Sequence, residues 1–161
     1  MMENCDYIYK VLFVCHGNIC RSPMAERLMR HLVAQAGLEG RIEVASAATS
    51  NEETGNPIYS PARAKLAEHG IYSDGHAARQ MTWRDYDECD LLIGMDDANV
   101  RNMERIAGGD MKHKIHRLLD FTPRPGAVAD PWYTDDYEVA WQDISLGCQC
   151  LLDWIINEKL L

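Results

Sequence analysis

Two periods of apolar residues alternate along this chain. Residues 9–15, Tyr-Lys-Val-Leu-Phe-Val-Cys, form an almost unbroken apolar run, the pattern of a strand covered on both faces. A short polar loop containing a glycine follows, and then Ser22-Pro23, a favoured N-cap before a favoured first helical residue. Apolar rows Met24, Leu28, Leu32 and Ala25, Met29, Val33 carry a helix to Gly37, a fitting terminator. Residues 41–47 alternate as a second strand, and 56–70 read as a helix opening near Pro57 and closing at Gly70. Residues 90–95 give a third, buried strand. Asp96 or Asp97 caps a helix through about Ile106, which Gly108-Gly109 stops, and 114–118 form a short fourth strand. Beyond a loop over 121–131, a last helix runs from about Asp135 to Asn157. Asp135 and Glu138 cap it, and Tyr137, Trp141, Ile144, Cys148, Leu151 and Ile155 form its apolar stripe.

Strands that alternate with helices pair in parallel. The expectation is an α/β fold: one four-stranded parallel, doubly wound sheet with helices on both faces, in a single domain over 1–161 with its core over about 9–158. Ligands of such sheets sit at the carboxyl ends of the strands, where the loop after the first strand lies. No apolar run approaches the roughly 20 residues of a membrane span. Residues 1–10 hold Glu3, Asn4 and Asp6 and lack the basic-then-apolar layout of a leader, so a cytoplasmic protein is expected.

Six cysteines in 161 residues do not make a disulfide framework of the small secreted kind. Neither Cys15 with Cys20 nor Cys148 with Cys150 has a histidine pair at zinc-ligand spacing, so no metal is expected. The formal charge of −9 argues against nucleic acid as a partner. Residues 130–161 concentrate it, with seven acids against Lys159 alone. A solvated acidic helix face explains this, and a partner-selecting surface is the alternative.

The chemistry is concentrated in Cys15-His16-Gly17-Asn18-Ile19-Cys20-Arg21-Ser22, which puts a cysteine and an arginine six positions apart between a buried strand and a helix start. Inward-turned amides, the helix N-terminus and the planar Arg21 fork together build an anion cradle. The same field favours a Cys15 thiolate, placed to attack a bound phosphoryl group in line and form a phosphocysteine without metal or other cofactor. The loop lacks the G-x-x-x-x-G-K-[ST] pattern of a nucleotide cradle. A core cysteine beside a surface arginine is the plain alternative.

The stretch from Val11 to Glu26 closely resembles the signature of the low molecular weight protein tyrosine phosphatases. The similarity continues through Ser46-Ala47-Ala48-Thr49, Gly55-Asn56-Pro57, His69-Gly70-Ile71, His76-Ala77-Ala78-Arg79-Gln80, Met95-Asp96 and Asp130-Pro131-Trp132-Tyr133. This resemblance implies hydrolysis of phosphotyrosine and small aryl phosphates, with Cys15 as nucleophile, Arg21 as phosphate clamp and Asp130 as general acid. It also implies a phosphate-binding loop formed by His16, Gly17, Asn18, Ile19, Cys20 and Ser22. Asn18, Ser22, Ser46 and His76 would hold that loop in shape, and Cys20 would be a thiol able to form a disulfide with Cys15 after oxidation. Trp132 and Tyr133 would wall the substrate ring, core packing being their alternative. Asp130 reads otherwise as a turn aspartate before proline. Phosphotyrosine proteins, a tyrosine kinase among them, are the implied partners of a monomer or weak dimer.

One departure concerns the cleft. Many members place an aromatic residue after Ala47-Ala48-Thr49-Ser50, whereas this chain has Asn51-Glu52-Glu53. Glu52 and Glu53 make that side acidic and would repel acidic peptides while favouring basic or small aryl substrates. Related arginine phosphatases tend to carry threonine where this chain has Ile19. Arsenate reductases of this fold need clustered cysteines where only Cys89 lies, and phosphoryl carriers lack the arginine.

Overall fold

The computed structural model describes residues 7–160. Readings that fall on residues 1–6, among them the missing leader, lie outside the described residues. Four parallel strands, β1 (Tyr9–Cys15), β2 (Ile42–Ala48), β3 (Leu91–Gly94) and β4 (Ile115–Arg117), pair in the order β2-β1-β3-β4. The pairing aligns Cys15 with Ala48 on one side and Val14 with Gly94 on the other.

The apolar run of β1 is buried on both faces, and each face belongs to a different core. Tyr9, Val11, Phe13 and Cys15 join the core covered by α1 (Arg21–Gln35), α2 (Ser60–Glu68) and α6 (Tyr137–Ile155). Leu12 and Val14 join a second core with Tyr86 of α3 (Trp83–Glu88) and Met103 of α4 (Asp97–Ala107). This split follows from the two-residue period of a strand. The expected stripe of α6 is the buried one, from Trp141 to Ile155, with Tyr137 packed at its edge. Gly147 lets α6 approach closely, since a Cβ there would lie 2.4 Å from Leu118 Cγ. No helix among the described residues is long and apolar enough to cross a membrane.

Several boundaries differ from the sequence expectation. Helix α1 opens at Arg21 with Cys20 at its N-cap, so Ser22 is not the cap and its hydroxyl is free for other work. Helix α2 starts at Ser60 rather than near Pro57. Proline disfavours a helical Asn56, and Gly55 and Asn56 instead exchange backbone bonds with Ala78 (2.8 Å each). Helix α3 has no apolar stripe long enough to announce it, yet its Thr82/Asp85 capping box is present. The segment read as a loop ends in a single helical turn, α5 (Pro131–Thr134). Asp135 closes that turn in the left-handed region (φ 59°), so Asp136, not Asp135, caps α6 by accepting from Val139 N.

The order β2-β1-β3-β4 places the switch in chain direction at β1, so its carboxyl end opens between the ends of β2 and β3.

Candidate active site

Residues 15–20 leave β1 as a bowl, and five of its six carbonyls are held by bonds to surrounding elements. Cys15 O accepts from Thr49 N (2.9 Å), His16 O from Ser50 N (3.1 Å), Ile19 O from Tyr59 N (2.9 Å) and Cys20 O from Met24 N (3.1 Å). Asn18 O accepts from His76 Nε2 at 2.7 Å, which fixes that nitrogen as the protonated one. Across a trans peptide the N–H points opposite to the preceding carbonyl, so each outward carbonyl turns the next amide inward. The inward amides form the anion cradle expected from the sequence. The bend needs a left-handed residue, and Asn18 supplies it at φ 60°, a conformation asparagine tolerates better than most.

The buried side chains lock this shape. Asn18 Nδ2 donates to Ser22 Oγ and to Ser46 Oγ, 2.9 Å each, and Asn18 Oδ1 accepts from Arg79 N at 3.2 Å. Ser22 turns toward Cys15, its Oγ 3.0 Å and its N 3.4 Å from Cys15 Sγ. The loop-support set is thus brought together around Asn18, with Ser22 and Ser46 on its side-chain amide and His76 on its main-chain carbonyl. Helix α1 in turn carries Arg21 into the bowl, where it is only 2% exposed. Its Nη1 donates to Asp96 Oδ2 and Val128 O (2.8 Å each), and its Nη2 to Asp130 Oδ2 (3.3 Å). Burial opposes its charge, but Cys15, Asp130 and Asp96 outweigh burial and raise its pKa above the ordinary value.

Asp130 is placed by backbone on both sides. Val128 N bonds Met95 O at the end of β3 (2.8 Å), and Asp130 caps α5 by accepting from Trp132 N (3.1 Å). Pro131 at the first helical position leaves no amide to compete, so one carboxyl oxygen caps and the other faces Arg21. Trp132 and Tyr133, 52% and 83% exposed, stand at the rim rather than in a core. The bowl and this rim enclose a cleft of about 120 Å³, with Cys15 and Arg21 at its floor and Asp130, Trp132 and Tyr133 on one wall. Glu52 and Glu53 also line the cleft, as its acidic wall. There Glu52 faces His16 Nε2 at 3.2 Å, and Glu53 accepts from Asn56 at 2.8 Å.

Neither Cys15 nor Cys20 is in a disulfide. Cys20 packs against the Tyr137 hydroxyl (Sγ to Oη 3.8 Å), and burial above all pushes its pKa up to about 12. It therefore stays a neutral thiol near pH 7. Several contributors were not among the sequence candidates. Asp96 stood in the sequence as a helix cap and within the family-like Met95-Asp96 pair, with no role in the site; it caps Asn99 with its other oxygen (2.8 Å) while holding Arg21. Tyr59 packs tilted against Trp132 (centroids 5.0 Å apart, planes at 55°) and extends the aromatic wall. Arg79, gripped by Asp85 through two bonds (3.1 and 3.0 Å), anchors Asn18 through its backbone. Asp96, Tyr59 and Arg79 lie at least 38 positions from Arg21 in the chain, so although Met95-Asp96 and His76-Ala77-Ala78-Arg79-Gln80 are family-like stretches, no local spacing ties these residues to the loop.

The family model described as low molecular weight phosphotyrosine protein phosphatase matches residues 10–160. The chain is 43% identical over 153 residues to the Bacillus subtilis low molecular weight protein-tyrosine-phosphatase YfkJ, covering 94% of this chain and 98% of that one. The crystal structure of the B. subtilis protein superposes with a TM-score of 0.92 at 42% identity, over 94% of this chain and 97% of that one. The crystal structure of a Drosophila arginine phosphatase is also similar, with a TM-score of 0.80 at 27% identity, over 89% and 96% of the two chains. With strand, bowl, arginine and carboxylate in place along nearly its whole length, the chain belongs to the low molecular weight phosphotyrosine protein phosphatase family.

Proposed function

We propose that this protein hydrolyses phosphotyrosine in proteins, and small aryl phosphates, through a phosphocysteine. Cys15 sulfur attacks phosphorus as the phosphorus–oxygen bond to the phenol breaks, and Asp130 gives its proton to the departing oxygen. Water then attacks the phosphocysteine, Asp130 takes the water's proton, and the sulfur–phosphorus bond breaks to release inorganic phosphate. Arg21 and the inward amides hold the equatorial oxygens throughout. The observation that carries this reading is the convergence of Cys15, Arg21 and Asp130 on one cleft, with the Asp130 carboxyl on the wall directly beside the Arg21 fork on the floor.

A phosphoarginine substrate is the second reading, prompted by the similarity to the Drosophila structure. Ile19, which lines the cleft, adds apolar bulk there and favours an aryl group over a guanidinium. Metal-free assays of phosphotyrosine, phosphoserine and phosphoarginine side by side decide the matter. Turnover of phosphotyrosine by a wide margin is expected, and equal or faster turnover of phosphoarginine overturns the assignment. Cys15→Ser should abolish turnover yet still bind phosphate. Asp130→Asn should slow aryl esters with poor leaving groups far more than those with good ones. Equal slowing of both kinds would remove Asp130 from the acid role.

A further inference from the structure

Glu26 is 5% exposed on α1 and takes no part in the steps above. Its Oε1 accepts the Ser46 hydroxyl proton at 2.5 Å, and its Oε2 pairs with Arg30 one helical turn on. A carboxylate offers only lone pairs, so the single Ser46 proton is committed to it. Ser46 Oγ is left as an acceptor, and Asn18 Nδ2 donates to it at 2.9 Å. The other Nδ2 proton goes to Ser22 Oγ, also at 2.9 Å. With that lone pair used, Ser22 has one proton to give, and Cys15 Sγ at 3.0 Å is nearer than Ala47 O at 3.4 Å.

We propose that Glu26 is a positioning residue for the nucleophile: it sets the direction of a hydrogen-bond chain through Ser46, Asn18 and Ser22 that ends with a proton aimed at the Cys15 sulfur. The proposal rests on the reading of Cys15 as nucleophile. A hydrogen bond donated to sulfur favours its anion, and a chain with one sense throughout is stronger than its separate links. A glutamine at position 26 can turn an amide donor toward Ser46. The Ser46 proton would then face the Asn18 amide, and two donors would meet. The charged groups around Glu26 are Arg30 on its own helix and, from the segment before α3, Arg79 with its partner Asp85; none bonds to Ser46. At the sulfur end the charged neighbours are Arg21 and Asp130, which the substitution leaves in place.

The test is the rate at which iodoacetate inactivates the enzyme as a function of pH, a readout of Cys15 ionisation. Cys20, held up to about 12 chiefly by burial, does not compete below pH 9. The native protein, Glu26→Gln, Ser46→Ala and the double variant are compared. Each single variant should be inactivated about tenfold more slowly below its inflection, with the inflection moved to higher pH, and the double variant should be no slower than the slower single one. Should Glu26→Gln not fold, Glu26→Asp, which keeps the charge beside Arg30 but withdraws the oxygen from Ser46, carries the same expectation. An inflection unmoved by the substitution, or effects that multiply in the double variant, overturn the proposal while leaving Cys15 as nucleophile. Native enzyme that stays active after alkylation overturns the Cys15 reading itself, and this proposal with it.

Discussion

The floor of the cleft and its rim are built on opposite terms. On the floor, Asn18 and Ser22 are 0% exposed and their side-chain polar atoms all have partners, so these side chains hold the loop in one low-energy arrangement. At the rim Trp132 and Tyr133 stand largely in solvent, and the His16–Glu52 pair is more than half exposed on both sides. Buried, fully satisfied networks rigidify, while exposed pairs are worth little and are screened by salt. Reaction chemistry therefore belongs to the floor, and the choice of substrate to the rim. Floor substitutions should change kcat with little regard to substrate, and rim substitutions should change KM in a manner that depends on it.

Arg21→Lys is the severest break of the floor short of removing the nucleophile. An ammonium cannot reproduce a planar fork that reaches Asp96, Val128 O and the cleft at once. A fall in kcat/KM of about 10²–10³-fold is expected for every aryl phosphate. Next comes Asn18→Ala, which deletes three side-chain bonds and leaves a non-glycine residue at φ 60°. It should lower kcat by about 10–100-fold and stability by about 1–2 kcal/mol for the left-handed backbone alone, read by denaturant melts. Trp132→Ala, at the rim, removes an aromatic face that packs against Tyr59. It should raise KM by about three- to tenfold with kcat nearly intact. A loss in kcat as large as that of Asn18→Ala would erase the distinction between floor and rim.

This contrast also accounts for what could be read in the sequence. Strand β1 and helix α1 are announced by local pattern, and Cys15, Arg21, Asn18 and Ser22 lie within eight consecutive positions. The other strands follow from local pattern too: β3 is a buried apolar run, whereas β2 shows by alternation, its Glu43 facing out. The partners that complete the floor are contributed by distant elements through topology. Asp96 arrives on α4 because β3 ends beside β1, and Arg79 acts with its backbone amide. Glu26, on a helix turn of otherwise ordinary amphipathic pattern, shows its burial only once β2 brings Ser46 alongside. Short elements such as α3 and α5 carry too few residues to display a period, so capping residues were their sole signal. Ser22 misled for a physical reason: a hydroxyl at a helix start can cap, but here the sulfur and Asn18 claim it first.

The smallest effect belongs to the acidic wall. Glu52 pairs with His16 in solvent, and Glu53 is held by Asn56, so neither touches Cys15 or Arg21. Their charges act at a distance on whatever flanks the phosphotyrosine, and at 0.1 M salt such action decays over about 10 Å. The double substitution Glu52→Gln, Glu53→Gln should leave kcat on a small aryl phosphate unchanged. It should raise KM for phosphopeptides flanked by lysine or arginine and lower it for acidic ones, by about two- to threefold at low salt, with the difference closing as salt rises. Equal KM changes for both peptide classes, or a change that persists in high salt, would mean the wall acts by contact or shape. A drop in kcat on the small ester would mean that these glutamates support the floor and that the rim begins farther out.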